Sequence, residues 1–303
     1  MGKTKTALNL LGRDPKKIFS ALGRNGFFKW IPDRIYLQIL YYCETGEKLN
    51  LDKPETFNEK LQWIKLYDRK AEYVAYADKY VVCEYIAQTI GEGYLIPLIG
   101  VYENVEEILW DELPDKFVLK CTHGSGCNII CTDKSDIDIR NAQNKLNKWM
   151  KYNYYYPARE WCYRDIKPRI ICEKYLVDES GTELKDYKFM CFNGEPKIIQ
   201  VISERKRGSY LINHFDLEWN EINIPRKSIK RNPKTPMKPK NLNKMIEISK
   251  ILSKDIPFVR IDLYETERGI YFGEITFFPV SGFMDFEKEE DDYLLGSWIK
   301  LSE

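Results

Sequence analysis

Two acidic residues near the C-terminus have the spacing that a metal site on a β-hairpin requires. The segment reads VRIDLY, a turn at Glu267–Gly269, and then YFGEITF. Because side chains alternate along a strand, Arg260 and Asp262 share one face, and Glu274 and Thr276 share a face on the partner strand. Carboxylates together with phosphate oxygens suit Mg²⁺, and an adjacent arginine can neutralise a phosphoryl group. A surface ion pair is the alternative, but these carboxylates lie among apolar residues, where unpaired charge is costly.

A glycine-rich loop between two strand-like runs is a second pattern suited to phosphate. FVLK ends on Lys120, the loop contains Gly124, Ser125 and Gly126, and the run CNIIC follows. Glycine lets backbone N–H groups approach a phosphate, and lysine supplies a cation. The segment is not a Walker A loop, because no GK[ST] follows and no helix is predicted there. Taken alone, it could equally be a flexible hairpin loop, with His123 as polar surface or as a proton shuttle.

The segment RIICEKYL, followed by Asp178 and Glu179, is a third candidate. A buried strand that emerges into a polar segment could offer its backbone to adenine and a carboxylate to ribose hydroxyls. A strand that leads into an exposed turn is the simpler interpretation of this segment by itself.

The elements that must position these residues predict an α+β protein. The first 92 residues have helical patterns, including a capping box at Thr56 and Glu59 and apolar residues at helical spacing over 70–89. Short β-rich runs follow, and Asn193–Gly194 predicts a hairpin. Another helix is predicted near 241–253. Strands and helices mix without regular βαβ alternation, which favours α+β.

Composition and charge exclude several classes of protein. Hydrophobic residues at 44% and charged residues at 31% are typical of a globular protein. The net charge of +1 gives no general attraction to nucleic acid or membranes. Eight cysteines without a CxxC pair, and only two histidines, do not favour a zinc site. No apolar run is long enough for a transmembrane helix or a signal peptide. We therefore expect a cytoplasmic protein, either free or peripheral at the inner face of the membrane.

Two further segments each have two interpretations. The run Arg226–Lys244 carries eight Lys or Arg residues and no acidic residue. It is either a solvated loop or an electropositive rim for an anionic glycan or lipid-linked acceptor. Nucleic acid is not expected, because the run lacks aromatic residues for base stacking. Asp136-Ile-Asp138 could be the metal-binding DxD of a glycosyltransferase, but it precedes a predicted helix and is better interpreted as a helix cap.

The order of these motifs along the chain resembles that of the ATP-grasp superfamily, which includes D-alanine–D-alanine ligases and ribosomal-modification glutamate ligases. The motifs, in order, are strand–Lys, the Gly-rich loop, Glu-Lys-x-Leu, R-x-D and E-x-(N/T). Five longer segments are similar to sequences of the TupA-like ATP-grasp family. They are PETFNEKLQWIKL, ADKY, LPDKFVLKCTHGSG, DYKFMCFNG and GEITFFPVSGF. That family is associated with teichuronopeptide, capsule and exopolysaccharide gene clusters. The resemblance covers about residues 30–301.

The resemblance implies an ATP-grasp fold, in which two α+β lobes hold ATP. Residues 1–92 would form a helical N-terminal region, where many relatives have a Rossmann-like domain. Residues 93–184 would form the first lobe, with the Gly-rich loop and the hinge strand. Residues 185–303 would form the second lobe, with the metal-binding hairpin.

For the phosphates, the resemblance implies contacts by Lys120 and a mobile loop at Gly124–Gly126 that includes Ser125. Lys188 would face phosphate or substrate, and Arg260 would stabilise the phosphoryl group.

For the rest of the nucleotide and the metal, the resemblance implies three groups of residues. Mg²⁺ would be held by Asp262, Glu274 and Thr276. Many relatives have asparagine in place of Thr276, and a hydroxyl is the weaker ligand, so the number of ions stays open. The remaining residues would bind the nucleoside, with an adenine hinge at Glu173, Lys174 and Leu176 and the ribose at Glu179 or Asp178.

The resemblance implies the activity of a Mg-ATP-dependent carboxylate–amine ligase in cell-surface polysaccharide synthesis. ATP and Mg²⁺ would be its cofactors, and its substrate would be a carboxylate, an amine or a glycan. The reaction would proceed through an acylphosphate. Three alternatives stay open: an ATP-grasp kinase that phosphorylates a sugar, a glycosyltransferase, and a scaffold that binds ATP without turnover.

Overall fold

The N-terminal region of the protein is helical. The structure is a computed structural model that describes residues 15–181, 183–206 and 209–302; the first 14 residues of the predicted helical region lie outside these ranges. The helices of this region are α1 Pro15–Arg24, α2 Asp33–Thr45, α3 Phe57–Tyr67, α4 Glu72–Ala77 and α5 Val82–Thr89.

Local hydrogen bonds explain where these helices begin and end. The predicted capping box is confirmed at the start of α3, where Thr56 accepts from the Glu59 N–H and Glu59 accepts from the Thr56 N–H. The single helix predicted over 70–89 is instead the pair α4 and α5. The Asp78 carboxylate accepts from the N–H groups of Tyr80 and Val81, and such side-chain bonds compete with a continuous helix.

The first sheet has four antiparallel strands. They are β1 Leu98–Tyr102, β2 Phe117–Cys121, β3 Asn128–Cys131 and β4 Ile170–Lys174, in the order β1–β4–β2–β3. Helix α6, Ile139–Met150, buries Ala142 and Leu146 in the same core as Phe117 and Leu119. Asp138 caps α6 by accepting from the Asn141 N–H at 2.9 Å, as predicted. The short helix α7, Tyr155–Ala158, follows.

The second sheet has six antiparallel strands in the order β10–β9–β5–β6–β7–β8. They are β5 Asp186–Phe192, β6 Glu195–Lys206, β7 Ser209–Phe215, β8 Glu221–Ile222, β9 Phe258–Thr266 and β10 Gly269–Thr276. The predicted hairpin turn is confirmed, since Asn193 and Gly194 have φ angles of 50° and 83°. The predicted helix is also confirmed, as α8 Leu242–Leu252, and α9 Glu289–Ser297 follows the sheet.

These two sheets determine which side chains can meet. One face of the second sheet packs against α8, with Cys191 beside the Ser249 carbonyl. Because strand side chains alternate, Asp186 and Lys188 of β5 lie on the opposite face, away from α8. All strand pairings in the two sheets are antiparallel, as the α+β prediction requires. Within the described ranges, no helix combines the length and apolar character that crossing a bilayer demands.

Candidate active site

A cleft of about 480 Å³ is lined by residues of both sheets. The first sheet and its glycine-rich loop contribute Lys120, Ser125 and Gly126. The charged residues from the second sheet are Asp186, Lys188, Arg205, Arg260, Asp262 and Glu274. Lys79, which lies between α4 and α5, also lines the cleft. The structure therefore brings most of the predicted phosphate and metal residues together in one space, whereas Gly124 and Thr276 are not among the lining residues.

Strand register places three of these charges in one row. Lys188 of β5 is paired with Asp262 of β9, and Asp262 is paired with Glu274 of β10. The β9–β10 register shifts between Phe272 and Glu274, at Gly273. A Cβ at Gly273 would lie 3.0 Å from the Asp262 carbonyl oxygen, so a larger residue would push the strands apart. The predicted opposition of Asp262 and Glu274 across the hairpin is therefore confirmed.

Arg260 joins the two carboxylates. Its guanidinium donates two hydrogen bonds to Asp262, at 2.6 and 2.7 Å. Arg260 Nη2, which makes the second of these bonds, also lies 3.1 Å from Glu274 Oε1 and 3.1 Å from the Thr276 hydroxyl. On the other side of Asp262, Lys188 contacts the Asp262 carboxylate and lies 2.7 Å from Asp186 Oδ2. These cations hold the carboxylates close together, and the same cations could also bind the phosphate groups of a ligand.

The charges of the row explain how the pKa values of its acids shift. Burial raises the pKa of Asp262 to about 6, although Arg260 and Lys188 act against it. Burial also acts to raise the pKa of Glu274, but Lys79, Arg260 and Lys188 outweigh it and hold that pKa well below its usual range. Glu274 is therefore ionised throughout the physiological pH range.

The oxygen donors of this row fit a magnesium ion that also binds phosphate. In the described part of the chain, no three His, Cys, Asp or Glu side chains form a metal-binding group. Mg²⁺ bound with a nucleotide needs only one or two protein carboxylates, since phosphates and water supply its other ligands. Asp262 and Glu274 meet that need, and a buried oxygen of the nearby Asp186, Oδ1, has no hydrogen-bond partner among the described residues. The Thr276 hydroxyl is 3.2 Å from Glu274 Oε1.

Lys120 makes an ion pair that the sequence did not predict. Its Nζ lies 2.6 Å from Glu173 Oε2, and both side chains are largely buried. Lys120 lines the cleft, so it could serve both this carboxylate and a phosphate. The expectation that Lys120 binds phosphate stays a prediction, but the lysine is not free of structural partners.

Lys79 connects the glycine-rich loop to the hairpin. Its Nζ donates a hydrogen bond to the Gly124 carbonyl at 2.6 Å and lies 3.3 Å from Glu274 Oε2. The lysine side chain is only 13% exposed. It therefore bridges the two walls of the cleft at the end where Ser125 and Gly126 lie.

His123 faces away from this cleft. Its imidazole is buried, and Nε2 lies 3.1 Å from the Trp149 carbonyl oxygen of α6. Burial lowers the pKa of His123, which favours the neutral ring. The interpretation of His123 as polar surface is therefore wrong. A role as proton shuttle has no support either, because the imidazole is not among the groups that line the cleft.

The predicted adenine residues lie on and after a central strand. Glu173 and Lys174 belong to β4, which pairs with β1 on one side and β2 on the other. The Lys174 N–H donates to the Pro97 carbonyl oxygen at 3.0 Å. The strand ends there, so Leu176 is beyond the sheet. These residues are not among those that line the 480 Å³ cleft.

The two acidic residues proposed for ribose differ in their surroundings. Asp178 is buried and accepts from the N–H groups of Ser180 and Lys185, at 2.8 and 3.1 Å. The Asp178 carboxylate therefore stabilises the turn that contains these residues. Glu179 is 36% exposed and lines a separate cavity of about 210 Å³ with Tyr187. Glu179 is thus the more accessible of the two, but it is not in the cleft.

Several polar cleft residues were missing from the predicted site, among them Lys79, Asp186, Gln200 and Arg205. A signal for Asp186 was present, because alternation in DYKFMCF places it on the same face as Lys188. Arg205 lies 2.6 Å from Asp186 Oδ2. Lys79 stands in ADKY, one of the segments that resemble the family, but neither Lys79 nor Arg205 lies near the other cleft residues in the sequence, and both join them only in the folded chain.

The segment after β10 forms a left-handed turn beside the cleft. Val280 and Ser281 have φ angles of 52° and 55°, and Gly282 continues at 69°. Non-glycine residues rarely adopt this conformation, and a β-branched residue least of all. Lys65 donates to the Ser281 carbonyl at 2.7 Å, and Gln62 donates to the Gly282 carbonyl at 2.7 Å. These two buried α3 side chains hold the turn.

The sequence matches the profile of one protein family. The profile of the family described as TupA-like ATPgrasp matches residues 59–300. No match is found among curated protein sequences.

Several solved structures are similar. A D-alanine–D-alanine ligase from Bacillus anthracis is 16% identical, with 67% of this chain and 57% of that chain covered and a TM-score of 0.39. This chain therefore spans just over half the length of that ligase. The enzyme of the same name from Helicobacter pylori is 13% identical, with 80% and 69% covered and a TM-score of 0.42. The biotin carboxylase domain of a Hydrogenobacter thermophilus 2-oxoglutarate carboxylase is 18% identical, with 67% and 40% covered and a TM-score of 0.38.

Proposed function

Because this chain belongs to the TupA-like ATP-grasp family, we propose that it is a Mg-ATP-dependent carboxylate–amine ligase. The family assignment bears out the predicted resemblance, the ATP-grasp fold and the ATP-grasp enzyme class. The observation that carries the finer proposal is the row of Lys188, Asp262 and Glu274, joined by Arg260. That row provides cations for phosphate and carboxylates for a metal on one wall of the cleft.

The charge of the cleft suits a triphosphate. Six cationic and three acidic side chains line it, which leaves a net charge of +3. The acids are Asp186, Asp262 and Glu274, and the cations are Lys79, Lys120, Lys188, Arg205, Arg226 and Arg260. Charges that face a partly buried cleft act through a lower dielectric than water, so they attract polyphosphate strongly.

The proposed reaction has two steps. A substrate carboxylate attacks the γ-phosphorus of ATP, which forms an acylphosphate and releases ADP. An amine then attacks the acyl carbon, forms the amide and releases inorganic phosphate. Lys188 and Arg260 would neutralise charge on the transferring phosphoryl group, with Lys120 on the other phosphates. When bound, Mg²⁺ held by Asp262 and Glu274 would neutralise charge on the phosphate oxygens.

Other parts of the site have supporting roles in this proposal. The loop with Ser125 and Gly126 would close over the phosphates and keep water from the acylphosphate. The nucleoside would extend toward Leu176 and Glu179, as the family resemblance implies. An anionic glycan or lipid-linked acceptor would approach the basic run 226–244, whose first residues lie against the cleft. A role in cell-surface polysaccharide synthesis rests on the family resemblance.

One experiment tests the activity directly. The protein is incubated with ATP, Mg²⁺ and a mixture of uronic-acid sugars and amines, and the products are identified by mass spectrometry. The proposal expects a mass equal to acid plus amine minus water, and ADP formation that depends on both. A phosphorylated sugar formed without amine would contradict the ligase assignment and identify a kinase.

A further inference from the structure

The loop between α1 and α2 exposes two aromatic side chains. Phe27 is 66% exposed, and Trp30 is 78% exposed. The loop is nonetheless tied to the rest of the protein. The Phe28 ring stacks on the Phe19 ring with their centroids 4.6 Å apart, and the buried Arg159 donates to the Phe28 carbonyl oxygen at 2.8 Å. The fold itself therefore presents Phe27 and Trp30 to solvent.

Helix α2 adds a second apolar surface that faces solvent. The residues that it buries in the core are Tyr36, Leu37, Leu40 and Tyr41. Ile35, Ile39 and Tyr42 lie on the opposite face at helical spacing, and they are 50%, 38% and 50% exposed. A helix with apolar residues on opposite faces normally has a partner on each of them, and an exposed apolar patch indicates an interaction site. We call this set the N-terminal apolar surface: Phe27, Trp30, Ile35, Ile39 and Tyr42.

The same part of the chain is strongly basic. Residues 1–34 contain eight Lys or Arg residues and two Asp residues, which gives a net charge of +6. Because the whole chain has a net charge of +1, the remaining residues carry a net charge of −5. Arg24, at the end of α1, and Lys29, in the loop, are exposed. Lys16 Nζ lies 4.2 Å from the centroid of the Tyr42 ring. Positive charge therefore accompanies the N-terminal apolar surface.

We propose that the N-terminal apolar surface binds the surface of an anionic lipid bilayer. Apolar side chains with basic neighbours bind at the headgroup region, where burial of the apolar groups and attraction to anionic lipids act together. Trp and Tyr are also the residues enriched at membrane–water interfaces.

Charge disfavours the other occupants of this surface. A second copy of the chain would bring two regions of net charge +6 together, and like charges repel. The preceding segment 1–14 is itself basic, with three Lys or Arg residues and one Asp. The five residues of the N-terminal apolar surface are not among those that line the cleft, so lipid binding does not depend on the proposed ligase activity.

The test measures how much of the full chain sediments with lipid vesicles. Vesicles of phosphatidylcholine alone are compared with vesicles of phosphatidylcholine and phosphatidylglycerol. Phe27→Ser/Trp30→Ser should weaken binding to the anionic vesicles at least about tenfold, because two apolar side chains no longer leave water. The matched control is Leu109→Ser/Ile130→Ser, since Leu109 and Ile130 are 59% and 60% exposed elsewhere on the protein. This control should bind like wild type.

A second pair of variants tests the contribution of charge. Arg24→Gln/Lys29→Gln should weaken binding to anionic vesicles by about fivefold for each charge removed, and added salt should weaken binding of the wild type. The control is Lys227→Gln/Lys230→Gln, which removes two exposed charges from the other basic segment of the chain. Circular dichroism and thermal melts show whether each variant is folded. If the aromatic variant does not fold, the charge variant and its control decide the question.

The outcomes separate the possible occupants of the surface. Binding that requires phosphatidylglycerol, and that weakens in both N-terminal variants but in neither control, supports the proposal. Absence of binding, equal binding to both kinds of vesicle, or equal weakening in the controls overturns it. Sedimentation velocity without lipid tests for a second copy. A wild-type dimer that Phe27→Ser/Trp30→Ser dissociates, together with absence of vesicle binding, would show that another copy of the chain covers this surface.

Discussion

The Lys79 ammonium group lies 3.3 Å from the Glu274 carboxylate, which links the helical N-terminal region to the last strand of the second sheet. The same ammonium group holds the Gly124 carbonyl of the glycine-rich loop. One side chain from outside both sheets therefore sets the distance between loop and hairpin at the phosphate end of the cleft.

Lys79→Met should lower kcat/KM for ATP by about two orders of magnitude, because one partly buried cation would be lost from the phosphate end of the cleft. Steady-state kinetics with ATP as the varied substrate measure the effect. Lys53→Met is the control, since the Lys53 side chain is 83% exposed and its ion pair is with the exposed Glu55. ATP kinetics like those of wild type in Lys79→Met would show that Lys79 is only a structural tie.

Glu274→Gln should abolish ATP turnover, by at least about a hundredfold, and leave the fold intact, because an amide is a poor replacement for a carboxylate beside Mg²⁺. Mg²⁺ titrations of ATP turnover and circular dichroism provide the measurements. The control is Glu195→Gln, because Glu195 is 56% exposed and is not among the residues that line the cleft. Unchanged Mg²⁺ dependence in Glu274→Gln would disprove the metal assignment.

Lys120→Met and Glu173→Gln should separate the two roles of the Lys120–Glu173 ion pair. If Lys120 binds phosphate, Lys120→Met raises the Kd for ATP about tenfold or more, whereas Glu173→Gln leaves it nearly unchanged. Both variants should melt earlier, since breaking a largely buried pair leaves one charge without its partner. Nucleotide titrations and thermal melts of both variants and the double variant measure these effects. Equal ATP affinity in Lys120→Met and wild type would restrict Lys120 to the ion pair.

The pH dependence of stability should contain a contribution from His214. Burial and the charge of Arg226 lower the pKa of His214 to about 4, so the unfolded chain takes up the proton first as the pH falls. This contribution is fully present above about pH 6.5 and is lost as the pH falls toward 4, by roughly 2 kcal/mol between pH 6.5 and 5. Urea unfolding of wild type and His214→Gln at both pH values measures it. His123 and the carboxylates are common to both proteins, so identical pH slopes would contradict the prediction.

Alternation along strands made much of the hairpin predictable from the sequence. It placed Arg260 with Asp262 and Glu274 with Thr276, and the antiparallel pairing then brought both carboxylates together. Alternation predicts which face of the sheet a side chain lies on, but it does not predict which strand lies beside it. The pairing of Lys120 with Glu173 depends on β4 lying beside β2, and no local pattern determines the order of strands in a sheet.

Contacts between segments that are distant in the sequence could not be predicted from such local patterns. Lys79 stands in a short break between helices, where the segment ADKY contributes to the family resemblance but gives no sign that its lysine contacts Glu274. The split of the predicted 70–89 helix depends on Asp78, whose side chain bonds to the backbone two and three residues later. Apolar spacing continues through that break, so the pattern alone favoured one longer helix.

The left-handed turn at 280–282 has a consequence for inactivation by heat. Its carbonyls are held by Gln62 and Lys65 of α3, while the strands on which Asp262 and Glu274 lie are held by the sheet. If α3 detaches on warming, the turn loses the bonds that keep Val280 and Ser281 in a costly conformation. We expect the proposed activity to be lost before the strands of the sheet separate, and recovery on cooling would depend on how quickly the helix docks again.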